Sequence, residues 1–130
     1  MNYEEESNAV RVQVTPHFVA TQNHNGDDYY VYSYDVEIEN RGDTPLQLIS
    51  RHWIIRDGDG REEHIIGDGV VGEQPTIEPG AMYSYQSGCP LPTPTGNMRG
   101  KYDLVDGENR VLEAKIPLFF LRPDLVKELH

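Results

Sequence analysis

Apolar and polar residues alternate along most of this chain with a period of two. Val10, Val12 and Val14 alternate with Arg11 and Gln13, the signature of a half-buried strand. Pro16 limits that strand, and His17–Ala20 continues it after a kink. A polar turn is expected over Gln22–Asp28. The longest alternation follows: Tyr30, Tyr32, Tyr34, Val36 and Ile38 share one face, and the turn cluster Asn40–Asp43 ends the run. Leu46–Ile55 is the next strand, and Asp57-Gly58-Asp59-Gly60 closes it as a hairpin turn with a left-handed glycine. Arg61–Ile66 returns. If Asp57 pairs with Arg61, then Trp53 faces Ile65, Arg56 faces Glu62 and Arg51 lies beside Gly67. Trp53 is expected in the core with Ile55, Ile65 and part of the row Tyr30, Tyr32 and Tyr34.

Gly67–Gly80 reads as a connection, Ala81–Ser87 as a strand, and Gly88–Gly96, with its prolines, as a loop at the opposite end from Gly67–Pro75. Arg99–Val105 and Arg110–Ile116 form a last hairpin, and Leu118–Leu121 follows Pro117. Residues 1–9 read as a flexible acidic tail. Residues 122–130 read as a C-terminal tail, with one or two helical turns carrying Leu125, Val126 and Leu129. Seven to eight short antiparallel strands without an intervening helix predict one all-β domain over 1–130. Its expected form is an immunoglobulin-like or fibronectin type III-like β-sandwich.

Charge narrows the partners. The chain has 130 residues and a net charge of −11, with only 11 Lys and Arg. Phosphate backbones require basic patches, so nucleic-acid binding is not expected. No apolar run reaches the length that spans a bilayer, so membrane insertion is not expected either. The acidic N-terminus reverses the order of a secretory signal, and Cys89 is the only cysteine. Together these predict a cytoplasmic protein.

Candidate chemistry is sparse. Gly67-Asp68-Gly69-Val70-Val71-Gly72 fits G-x-G-x-x-G, but Pro75, Pro79 and Gly80 deny it the helix that a dinucleotide site needs. Two readings stay open: a structural loop, or a concavity of backbone N–H groups that holds an anion. Arg51 and His52 are expected to border this loop. The candidate binding residues are therefore Arg51, His52, Gly67, Gly69, Val70, Val71, Gly72 and Glu73. His52 and His64 share a face diagonally, a weak metal candidate without ligand spacing. No metal site, cofactor or catalytic residue is expected, because Cys89 has no base near it in sequence.

Four blocks in order carry a resemblance. They are Tyr30-x-Tyr32-x-Tyr34-x-Val36-x-Ile38-x-Asn40; Arg51-His52-Trp53 with Ile55 and Asp57; Gly67-x-Gly69-Val70-Val71-Gly72-Glu73-x-Pro75 with Pro79; and Ser87-Gly88, Leu91, Thr93-Pro94, Gly96, Met98, Gly100 and Tyr102. From Arg11 to Leu121 the chain resembles the ApaG family. The resemblance implies a fibronectin-III-like sandwich in a bacterial protein, associated by name and genetics with cobalt resistance and magnesium efflux. Related domains in F-box proteins and a DNA-polymerase-delta-interacting protein are thought to mediate protein contacts. It brings no catalytic residues. The expectation is a non-catalytic module, monomer or weak homodimer, whose loops bind an unknown protein partner or an anion. Its role in divalent-cation homeostasis would be indirect. The alternative is a direct metal or nucleotide/pyrophosphate binder, possibly a weak enzyme.

Overall fold

Alternation becomes sheet with two outcomes per strand, one face buried and one wet. The computed structural model describes residues 2–124 and forms nine strands. They are β1 (Tyr3–Ser7), β2 (Val10–His24), β3 (Asp27–Asn40), β4 (Leu46–Asp57), β5 (Glu62–Asp68), β6 (Thr76–Ile77), β7 (Met82–Leu91), β8 (Gly96–Val105) and β9 (Val111–Leu121). All pairings are antiparallel. One sheet has the order β1-β2-β3-β7 and the other β5-β4-β8-β9, with β6 also paired to β4. The count exceeds the expected seven to eight because β1 and β6 join. The helical turns expected around Leu125, Val126 and Leu129 lie outside the described residues.

The acidic tail is corrected to strand for Tyr3–Ser7. Arg11 bonds Glu4 at 2.9 Å and Glu39 at 2.9 Å, while Arg41 reaches Glu6 and Glu39, each at 2.6 Å. The hydrogen bond from Arg11, then that from Arg41, holds the Glu39 carboxyl below the usual range. Acidic charge is thus neutralised where β1 pairs with β2. Tyr3 also packs on Phe119, with ring centroids 6.1 Å apart.

Two proline expectations are corrected as well. β2 runs through Pro16 to His24 with a bulge at Val19, so the polar turn shrinks to Asn25-Gly26. β7 runs through Gly88, Cys89 and Pro90 to Leu91, so the loop is only residues 92–95. Pro90 is tolerated because β7 is an edge strand, where a missing N–H breaks no ladder on the open side.

The core is the inner face of both sheets: Val12, Val14, Tyr32, Tyr34, Val36 and Ile38 from one, Leu48, Trp53, Met98, Tyr102, Leu104 and Phe119 from the other. Tyr30 packs against it half-buried. In β4, Leu46 and Leu48 face in, and so do Trp53 and Ile55. The parity change comes from a bulge at Ile49, between Leu48 and Ser50. That bulge turns Arg51 onto the inner face with Trp53.

The two long edges of the sandwich differ. β1 and β2 pack against β9 and close one side. On the other side β7 and β5 stand apart, and the space between the sheets opens to solvent there.

Candidate functional site

The β4–β5 hairpin has the expected register. Arg51 pairs with Gly67, Trp53 with Ile65 and Arg56 with Glu62, and the Asp57 amide donates to the Arg61 carbonyl at 3.0 Å. Trp53 is 3% exposed, with Tyr34, Phe119 and Tyr102 rings at centroid distances of 5.2, 6.0 and 6.3 Å. Ile65 is corrected: it is 38% exposed, because β5 is an edge strand with no strand of the opposite sheet over it.

Beyond β5 the glycine motif is a tight structural turn. The Val70 amide donates to the Glu73 carbonyl at 2.8 Å, and the Glu73 amide to the Val70 carbonyl at 2.9 Å. Val71 (φ 48°) and Gly72 (φ 80°) fill its two central positions, both left-handed as a type I′ turn requires. Val71 is a β-branched residue in that region and carries strain. The bulged Ile49 carbonyl accepts the Gly69 amide at 2.7 Å and the Gln74 side-chain amide at 2.9 Å. The amides of Gly69, Val70 and Glu73 are therefore spent on the protein's own carbonyls, which favours the structural-loop reading over the anion concavity.

Arg51 lies against this turn. Its Nη1 donates to the Asp68 carbonyl at 2.8 Å and the Gly69 carbonyl at 2.9 Å. A Cβ on Gly67 would sit 2.9–3.1 Å from the guanidinium atoms, so the group lies flat on a backbone that only glycine leaves bare. His52 does not join it. It points to the outer face of β4, where its Nε2 meets Nδ1 of His64 at 2.9 Å. The two histidines do share a face, yet no cluster of three metal-ligating groups forms among the described residues.

Arg51, Trp53 and the turn border a cavity of about 350 Å³ at the open edge between β5 and β7. Tyr34, Ile55 and Met98 form its floor with Trp53, and Tyr85, Ser87 and Cys89 form the β7 wall. Val70 is 1% exposed and plugs the Arg51 end, whereas Val71 is 65% exposed at its mouth. The tyrosines of β3 and β7 were legible as strand faces but not as groove lining, since that depends on which edges stay open. Gly88–Pro90, expected in a separate loop, lines this same groove. The true loop at residues 92–95 does lie at the far end, where Thr93 Oγ1 accepts the Gly58 amide at 2.7 Å.

Burial raises the phenols of Tyr34, Tyr85 and Tyr102 above their ordinary value. They stay protonated at neutral pH, and the Tyr85 and Tyr102 hydroxyls bond each other. Burial also pushes the Cys89 thiol up to about 12. A neutral thiol is a poor nucleophile. Iodoacetamide at pH 7.5 should therefore label Cys89 at least about tenfold more slowly in the native protein than in urea. Equal rates would show an accessible thiolate.

Comparison with known proteins agrees with these motifs. A family model of the ApaG domain matches residues 20–106. The chain belongs to the ApaG family. Protein ApaG of Maricaulis maris is 47% identical over 129 residues, covering 98% of this chain and 99% of the relative. The ApaG protein of Bordetella pertussis is 50% identical over 111 residues, covering 85% and 84%. A crystal structure from Bordetella pertussis described as ApaA superposes with a TM-score of 0.81 at 47% identity, covering 87% of this chain and 92% of that one. The C-terminal domain of Wzt, 10% identical with a TM-score of 0.54 over 99% of this chain and 80% of that one, shares the fold alone. Among the described residues no helix is long and apolar enough to cross a membrane.

Proposed function

We infer that this ApaG-family chain is a non-catalytic interaction module whose partner docks in the groove between β5 and β7. The observation that carries the reading is the asymmetry of the sandwich. One edge is closed by β1 and β9, while the other leaves an aromatic floor open between two unpaired strand edges. The lips of that opening are apolar where solvent would favour polar groups: Ile65 is 38% and Val71 65% exposed. Such a cluster at a sheet edge is a protein-contact signature. Strain at Val71 supports the same reading, because left-handed β-branched residues persist where the site needs them.

A catalytic reading finds less support. The groove's thiol is held neutral, and its phenols are held protonated. An effect on divalent-cation handling would then be exerted through the partner, from the cytoplasm.

The test begins with partners retained on immobilised protein from a bacterial lysate and identified by mass spectrometry. Ile65→Asp and Val71→Asp should each weaken the purified partner's binding by about tenfold or more, the scale of a buried apolar contact. Their melting temperatures should stay near wild type. Val111→Asp, equally exposed but at the start of β9, is the control. Unchanged binding in the lip variants, or equal loss in the control, would refute the groove as the site.

A further inference from the structure

We propose that the groove receives the carboxyl terminus of an extended peptide, with the terminal carboxylate on Arg51 and basic residues upstream beside Glu63. This rests on the groove reading above and adds the chemistry of the occupant.

Arg51 is a built site rather than a stray surface charge. Its Nη1 is committed to two backbone carbonyls, and Gly67 leaves room for the guanidinium to lie flat. The Nε and Nη2 groups have no acceptor among the described residues. No side-chain nitrogen there is fully buried without a partner, so these donors keep some solvent exposure, and Arg51 lines the groove. A fixed guanidinium with a free side is suited to a carboxylate, which accepts two parallel N–H bonds. Tyr34 and Tyr85 line the same cavity with protonated phenols, the Tyr85 hydroxyl also bonding that of Tyr102.

The shape favours a chain end over an acidic side chain. Val70 is folded in at the Arg51 end, so a strand lying along β7 terminates there. In the other direction the groove continues into a second depression of about 200 Å³, bordered by Ile55, Asp57, Glu63 and Pro90. From Arg51 to Asp57 the distance is roughly 20 Å at strand rise, enough for about six residues.

Main-chain groups on the free edges of β5 and β7 offer the partner a ladder, as in strand addition. A small organic acid would leave that ladder unmet. Polarity fixes the direction. At the far end Glu62 is paired with Arg99 at 3.1 Å, which leaves Asp57 and Glu63 against Arg61, and Glu63 has no ion-pair partner among the described residues. The occupant is therefore anionic at its tip and cationic behind it.

The probe is a library of random hexapeptides with free carboxyl termini, screened beside the same library as C-terminal amides and beside phenylacetate. Trp53, the only tryptophan, reports binding by fluorescence. Free acids with Lys or Arg upstream should be enriched, and amidating a selected peptide should weaken it by about tenfold or more, as loss of a charge-assisted bond requires. Arg51→Ala frees two loop carbonyls and risks the turn. Arg51→Lys and Tyr85→Phe therefore serve as the variants, each expected to weaken the free acid but not the amide. Equal retention of acids and amides, both lost in Ile65→Asp and Val71→Asp, would overturn the carboxylate and leave the groove standing. Phenylacetate binding as tightly as the best peptide would overturn the peptide. Hexapeptides that bind regardless of Ile65→Asp and Val71→Asp, or none that bind, would overturn both readings.

Discussion

Trp53→Ala should destabilise the protein by about 3–5 kcal/mol, the range for losing a large aromatic from a packed core. For a chain of this size that lowers the melting temperature by roughly 10–20 °C. The indole touches three rings from two sheets: Tyr34 from β3, Tyr102 from β8 and Phe119 from β9. Those neighbours belong to strands held in register, so they cannot collapse into the space without breaking a ladder. Trp53→Phe keeps most of the contact and should cost less than half as much. Urea denaturation followed by circular dichroism checks both, and a loss under about 1 kcal/mol for Trp53→Ala would mean the inner face repacks freely. Trp53 is core and groove floor at once. Lost binding in Trp53→Ala would therefore say nothing about docking, which is why the exposed lip residues carry that test.

The residue pattern made the sheets readable where alternation was unbroken. Tyr32, Tyr34, Val36 and Ile38 face inward as the period of two requires, and the β4–β5 register followed from one turn. Misreadings arose where a local rule met a tertiary exception. The Glu run in Tyr3–Ser7 reads as solvated in the sequence, but the fold brings Arg11 of β2 and Arg41 of the turn after β3 beside it. Proline looked like a strand breaker at Pro90, yet on an edge it interrupts nothing.

One signal was present and unread. Leu46 and Leu48 are apolar at even positions, then Trp53 and Ile55 at odd ones. That change of parity marks the bulge which sends Arg51 inward and His52 outward, and it separates two neighbours that adjacency in the sequence places in one site. The groove itself was not legible. It is made by the stacking of β1 on β9 and the lack of such a cover between β5 and β7, a property of whole sheets rather than of any segment.

Two glycines that look alike in the sequence should behave differently when replaced by alanine. A Cβ on Gly100 would lie 2.0 Å from the His52 carbonyl oxygen and 3.1 Å from the Trp53 Cα. A Cβ on Gly69 would lie 2.0 Å from the Glu73 carbonyl oxygen, at φ +60°. Both contacts are impossible, so something must move. At Gly100 nothing can move alone: β8 is bonded to β4 on one side and β9 on the other, beside a bulge. Relief there parts the central strands, and Gly100→Ala should cost more than about 4 kcal/mol or prevent folding. At Gly69 the chain is already leaving the sheet, and only the turn has to open. The loss is then bounded by what the turn contributes, chiefly the burial of Val70, at about 1.5–3 kcal/mol. That opening also removes the Gly69 carbonyl from Arg51 and the plug from the groove. Gly69→Ala should therefore stay folded at 25 °C and bind its partner at least about tenfold more weakly. Hydrogen exchange would show the difference directly, with protection lost throughout β4 and β8 in one variant and only around residues 67–75 in the other. If Gly69→Ala unfolds the chain as Gly100→Ala does, the turn is part of the scaffold. If it binds at full strength, the turn does not form the closed end of the site.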